Sequence, residues 1–72
     1  MRRDVRSPIA GSVESHAASI GQRVRVGSVL IILECMKCTI PVEAPVDGVI
    51  TWLKPCAETV EAEDVVVVLE VG

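Results

Sequence analysis

The stretch Val29-Leu30-Ile31-Ile32-Leu33-Glu34-Cys35-Met36-Lys37-Cys38-Thr39-Ile40-Pro41-Val42-Glu43 decides the fold. β-Branched residues dominate Val29 to Glu34 and Cys38 to Glu43, so each reads as a strand. Met36-Lys37 then forms the two-residue tip of a β-hairpin. Such tips favour turns with positive φ, which Asn-Gly or Asp-Gly adopt cheaply; a non-glycine residue there costs about 1–3 kcal/mol. A chain that accepts this cost is expected to need Lys37 presented outward. A loop lysine is ordinarily a solubilising charge, but Met36 puts a large apolar group where water wets it, which suggests recognition. A two-residue tip also sets Cys35 opposite Cys38. Paired Cα atoms lie about 4.5–5.5 Å apart, inside the disulfide range of about 4.4–6.8 Å. Free thiols are expected under reducing conditions and a strained, labile bridge on oxidation.

Outward from the hairpin, the chain repeats itself. Ser7-Pro8-Ile9-Ala10-Gly11-Ser12-Val13 matches Ala44-Pro45-Val46-Asp47-Gly48-Val49-Ile50 at an offset of 37, and Val24 to Glu34 matches Val60 to Glu70 at an offset of 36. A repeat this short cannot bury its own apolar face, so the two halves are expected to pack sheet on sheet, with Lys37 at their junction. The unbroken apolar run Val65 to Leu69 reads as a strand buried on both faces or covered at one edge. Pro41 within a strand predicts an edge position or a strand start. No helical period is sustained. The expected fold is all-β: residues 1–72 as one domain, a flattened β-sandwich of two similar four-stranded halves. The Lys37 hairpin is placed at one end and both termini at the other.

The 72 residues are 50% apolar, with Trp52 the only aromatic, so the core is built from valine, isoleucine and leucine. A chain of this size buries only about 60% of its unfolded surface, which leaves no room for a catalytic cleft. No catalytic residue is expected. The net charge of −3 divides unevenly, with five arginines in the first thirty residues and eight acids in the remainder. That acidic half, and the lack of aromatics among the arginines, argue against nucleic acid. Arg2, Arg3 and Arg6 are expected to lie in a solvated N-terminal tail, with a basic partner contact as the second reading. No apolar run approaches the roughly 20 residues of a membrane span. Met1-Arg2-Arg3 is followed by polar residues instead of a signal-like apolar stretch, so a cytoplasmic chain is expected. Three cysteines, Cys35, Cys38 and Cys56, are an odd number and argue against a disulfide framework. Cys35 and Cys38 form a C-x-x-C, but only Cys56 and His16 are left to complete a zinc set, and no metal site is expected.

At this point the chain resembles the biotinyl/lipoyl attachment domain family, in particular its small free-standing members. The resemblance runs through Ser7-Pro8-Ile9-Ala10-Gly11, Gly21-Gln22-Arg23-Val24, Val26-Gly27-Ser28-Val29-Leu30, Glu34-Cys35-Met36-Lys37-Cys38, Ile40-Pro41-Val42 and Ala44-Pro45-Val46-Asp47-Gly48. It implies a carrier and not a catalyst: a biotin carboxyl carrier with biotin in amide linkage to Lys37, and Glu34, Cys35, Met36 and Cys38 as the motif a biotin protein ligase reads. The implied partners are that ligase, a biotin carboxylase and a carboxyltransferase, with the carrier itself a monomer. The family's biotin motif is usually Ala-Met-Lys-Met and its lipoyl motif Asp-Lys-Ala, so Met36 favours biotin over lipoate. Lipoate on the same lysine is the alternative, and an unmodified β-sandwich interaction module a third reading. Cys35 and Cys38 depart from the usual motif. Ala57-Glu58 and Glu63-Asp64 stand where the family often has glycines, so strained or rearranged turns are expected there.

Overall fold

The computed structural model describes residues 1–72 and contains only strands and turns. The strands are β1 (Arg2–Arg6), β2 (Gly11–His16), β3 (Arg23–Val24), β4 (Val29–Cys35), β5 (Cys38–Glu43), β6 (Gly48–Leu53), β7 (Thr59–Val60) and β8 (Val65–Glu70). They form two antiparallel four-stranded sheets, ordered β1-β8-β6-β3 and β5-β4-β2-β7. No helix is present that could cross a membrane.

The two sheets are not the two sequence repeats. Each sheet takes two strands from each repeat: β1 and β3 join β6 and β8, while β5 and β7 join β2 and β4. The repeats are thus interlocked, and neither sheet can form from one half alone. The backbone hydrogen bonds outside the ladders show the internal symmetry. Ser7 N to Asp64 O is matched by Ala44 N to Ser28 O, Val13 N to Glu58 O by Ile50 N to Gln22 O, and Ala17 N to Leu30 O by Lys54 N to Val66 O. The chain ends join the same scheme. Met1 N donates to Val71 O and Val71 N to Met1 O, each at 2.7 Å. Shifted by 36 and 37 positions, that pair falls on Cys35 and Cys38. The pseudo-two-fold axis therefore exchanges the hairpin tip with the chain ends, and sets them at opposite ends of a body 36 Å long and 18 Å across.

Matched residues of the two repeats fill the core: Val13 with Ile50, Val24 with Val60, and Leu30, Ile31 and Leu33 with Val66, Val67 and Leu69. Of the two causes expected for the apolar run at Val65 to Leu69, cover along the edge holds, since β8 lies between β1 and β6, and burial on both faces does not. β8 is not buried on both faces; the β1–β8 register shifts between Val5 and Arg6, so Val66 is the extra residue of a bulge. A bulge puts successive side chains on one face, and Val66 and Val67 both enter the core while Val65 and Val68 are half-buried. The matching shift between Val29 and Ile31 does the same for Leu30 and Ile31.

Arg2, Arg3 and Arg6 do not form a tail. They belong to β1, an edge strand paired with β8 from Arg2↔Glu70 to Arg6↔Val65. Arg2 Nε donates to Asp4 Oδ1 at 2.7 Å, and Arg6 Nη1 donates to the Glu63 carbonyl at 2.9 Å. Pro41 lies on β5, the other sheet's edge, where its missing N–H is harmless. The turns lacking glycine keep their conformation. Gly21 and Gly27 have φ of 91° and 90°; their counterparts Ala57 and Glu63 hold 71° and 75°.

Candidate functional site

β4 and β5 pair from Val29↔Glu43 to Cys35↔Cys38, leaving Met36-Lys37 as a two-residue tip. Met36 and Lys37 have φ of 50° and 67°. Positive φ at both central positions is the turn whose twist matches the flanking strands. The expected strain is thus borne by two residues with side chains. Met36 is 91% exposed. Lys37 is exposed, and since the ion pairs of the molecule are Met1–Glu70 and Arg2–Asp4, its ammonium group is unpaired.

The base of the hairpin is paired on both sides. Leu33 is fully buried, and Glu34 sits exposed between Ser12 of β2 and Thr39 of β5. Gly11 faces the Glu34 backbone carbonyl so closely that any Cβ would collide with it, and the same Cβ position lies 3.4 Å from Cys35 Cβ. In the sequence Gly11 is visible as the last residue of the Ser7-Pro8-Ile9-Ala10-Gly11 stretch, and the fold supplies its role. Its signal is the repeated Pro-x-x-Gly ahead of each inner strand: Gly48 stands in the same way to the Glu70 carbonyl, 2.9 Å from a built Cβ. Cys35 is half-buried against this floor, whereas Cys38 is exposed.

Other candidates lie away from the tip. Lys54 is half-buried at the end of β6; its N–H donates to Val66 O at 2.8 Å, and its carbonyl is 2.7 Å from His16 Nε2. Cys56 is exposed in the turn before Ala57. His16 and Cys56 do not join Cys35 and Cys38, and no group of three or more His, Cys, Asp or Glu could hold a metal ion. The two surface depressions are also elsewhere. One, of about 450 Å³, is lined by Arg2, Thr51, Trp52, Val65 and Val68; the other lies between the edge strands β1 and β5. A group carried at the tip would therefore be held by a covalent bond, and the unpaired primary amine of Lys37 on its four-carbon stem fits an amide link.

Residues 3–69 match the family described as "Biotin-requiring enzyme". The chain is 36% identical over 70 residues to the biotinylated protein TB7.3 homolog of Mycobacterium leprae, spanning 96% of this chain and 99% of that one. It is 43% identical over 49 residues to the biotin-dependent acyl-coenzyme A carboxylase alpha3 subunit of the same organism, spanning 68% of this chain but 8% of the subunit. Among solved structures, the urea carboxylase of Kluyveromyces lactis superposes with a TM-score of 0.92 at 28% identity, covering 97% of this chain and 6% of the enzyme. With hairpin, interlocked sheets and sequence in agreement, the chain belongs to the biotin/lipoyl attachment family, as a biotin-requiring attachment domain.

Proposed function

We propose that Lys37 is the attachment residue and that the chain, as one domain over residues 1–72, is a biotin carboxyl carrier without catalytic activity of its own. The observation that carries this reading is the Met36-Lys37 tip: two left-handed, non-glycine residues that hold an unpaired amine in solvent at the end of a rigid sandwich. Bound biotin supplies a nitrogen that accepts and releases a carboxyl group. The protein's part is presentation. Lys37 Nζ forms the amide with the biotin carboxyl group, which removes an ammonium charge that would oppose entry to a pocket. The lysine stem gives the arm reach, while the sandwich holds its origin fixed, so that one tether serves separated active sites at high local concentration.

In this reading a biotin protein ligase docks on Glu34, Cys35, Met36 and Cys38, and a biotin carboxylase and a carboxyltransferase are visited in turn by a monomeric carrier in the cytoplasm. The likeness to an acyl-coenzyme A carboxylase subunit and a urea carboxylase supports carboxylase partners. The final carboxyl acceptor is set by those partners. Intact mass of the protein purified from its own cells, with peptide mapping, tests the reading: biotin on Lys37 is the expected result. Lipoate there, or an unmodified chain in cells that hold an active ligase, overturns it.

A further inference from the structure

The two cysteines of the motif the ligase reads stand directly opposite each other at the base of the turn. We propose that Cys35 and Cys38 form a reversible disulfide that switches the acylation of Lys37 off. This inference rests on Lys37 being the acylated residue.

Directly opposed residues on antiparallel strands have Cβ atoms about 4.5–5.5 Å apart, and a disulfide draws them to about 3.5–4.5 Å. Closing the bridge therefore pulls the strand ends together beneath the tip. Cys35 has little freedom to yield, since its Cβ packs over Gly11 and its strand is paired with both β2 and β5. The movement falls on Cys38, on the exposed edge strand, and on the turn. Met36 and Lys37 already hold positive φ without glycine. They are the whole of the turn, so a shift of its base is passed to them and Lys37 changes its presentation. Misplacing a reacting group by about 1 Å costs on the order of a hundredfold in rate.

The oxidant is a low-molecular-weight disulfide such as oxidised glutathione. The exposed Cys38 thiolate attacks one of its sulfurs and releases the first glutathione thiolate. Cys35 Sγ then attacks Cys38 Sγ and releases the second. One protein S–S bond forms and one glutathione S–S bond breaks; two electrons pass to glutathione, and the two cysteine protons end on two glutathione thiols. A bridge closing so small a loop is strained and readily reduced.

The test exposes purified wild type, Cys35→Ser and Cys38→Ser to oxidised glutathione and removes the oxidant. Free thiols and the mapped bridge are then read beside the initial rate of biotinylation by a biotin protein ligase with biotin and ATP. Wild type is expected to lose two thiols to a Cys35–Cys38 bridge, slow by at least about tenfold and recover with dithiothreitol. Each variant is compared with its own untreated rate: Cys38→Ser is expected to keep that rate after the same treatment, and Cys35→Ser, which lacks the resolving thiol, is expected to hold glutathione on Cys38 with no bridge until dithiothreitol removes it. In wild type, an unchanged rate with the bridge mapped, a stable glutathione adduct on Cys38, or consumption of Cys56 instead overturns the switch. Failure of the reduced wild type to accept biotin on Lys37 is a separate result: it brings down the functional reading, and the switch with it.

Discussion

Gly11 on β2 and Glu34 on β4 touch backbone to backbone, with the Glu34 carbonyl occupying the place a Gly11 side chain would need. Gly11→Ala is expected to push β2 away from the base of the hairpin, at a cost of about 1–3 kcal/mol in urea unfolding. Gly48→Ala is expected to cost a similar or smaller amount, because a Cβ there would stand 2.9 Å from the Glu70 carbonyl, less close than a Cβ at Gly11 to the Glu34 carbonyl. Only the Gly11 change is expected to slow biotinylation.

Lys37→Arg is expected to abolish biotinylation, and Lys54→Arg to leave it intact, because Lys54 is half-buried beside paired backbone and is not on a tip. Amide formation removes one positive charge, taking the formal net charge from −3 to −4. A faster anodic band on a native gel, present for Lys54→Arg and missing for Lys37→Arg, checks both.

Met36 sets stability against recognition. With φ of 50° and 91% exposure it contributes no packing, so Met36→Gly is expected to raise stability by a few tenths to about 1 kcal/mol. The same change is expected to slow the ligase. Met36→Asp is expected to shift modification towards lipoate, and Cys38→Met to improve biotinylation; intact mass after co-expression with each ligase measures the outcome.

Ala57 and Glu63 hold the left-handed conformations that glycine holds at 21 and 27. Ala57→Gly and Glu63→Gly are each expected to stabilise the fold by up to about 1 kcal/mol, the relief of strain exceeding the entropy that glycine adds to the unfolded chain. Thermal unfolding is the measurement, and biotinylation is expected to be unaffected.

Asp47 Oδ1 accepts from Val26 N at 2.8 Å, whereas its repeat counterpart Ala10 has no acceptor to offer Ala62 N. Ala10→Asp is expected to supply the missing bond and add about 0.5 kcal/mol, and Asp47→Ala to remove a similar amount, both read by urea midpoint.

The hairpin was legible because its two strands are β-branched runs separated by two residues, which fixes tip, register and the Cys35↔Cys38 pair together. The duplication was legible as well. What it could not reveal is which strand pairs with which: β3 and β7 are two residues long, too short for any period, and with β1 and β5 they are the strands that join a pair from the other repeat. β1 was missed because Arg2-Arg3-Asp4-Val5-Arg6 places one apolar residue among four charges. Only Val5 needs to face the core, and β8 supplies the rest of the sheet. The bulge at Val66 disguised one-sided burial as a continuous apolar run, since two neighbouring valines enter the same face. Gly11 was visible as part of a motif, but its role depends on a carbonyl 23 positions away along the chain.

The exchange of hairpin tip and chain ends by the pseudo-two-fold axis makes the molecule a closed loop with two seams. One seam is covalent and carries Lys37; the other is closed by non-covalent bonds alone, between Met1 and the backbone of Val71 and between the Met1 amino group and Glu70. Any polypeptide spliced in at the second seam would leave from the far end of a 36 Å body, so fusion partners and linkers could be gained or lost there without approaching the lysine. In engineering terms the domain is a detachable plug: its handle and its contact are set as far apart as its length allows.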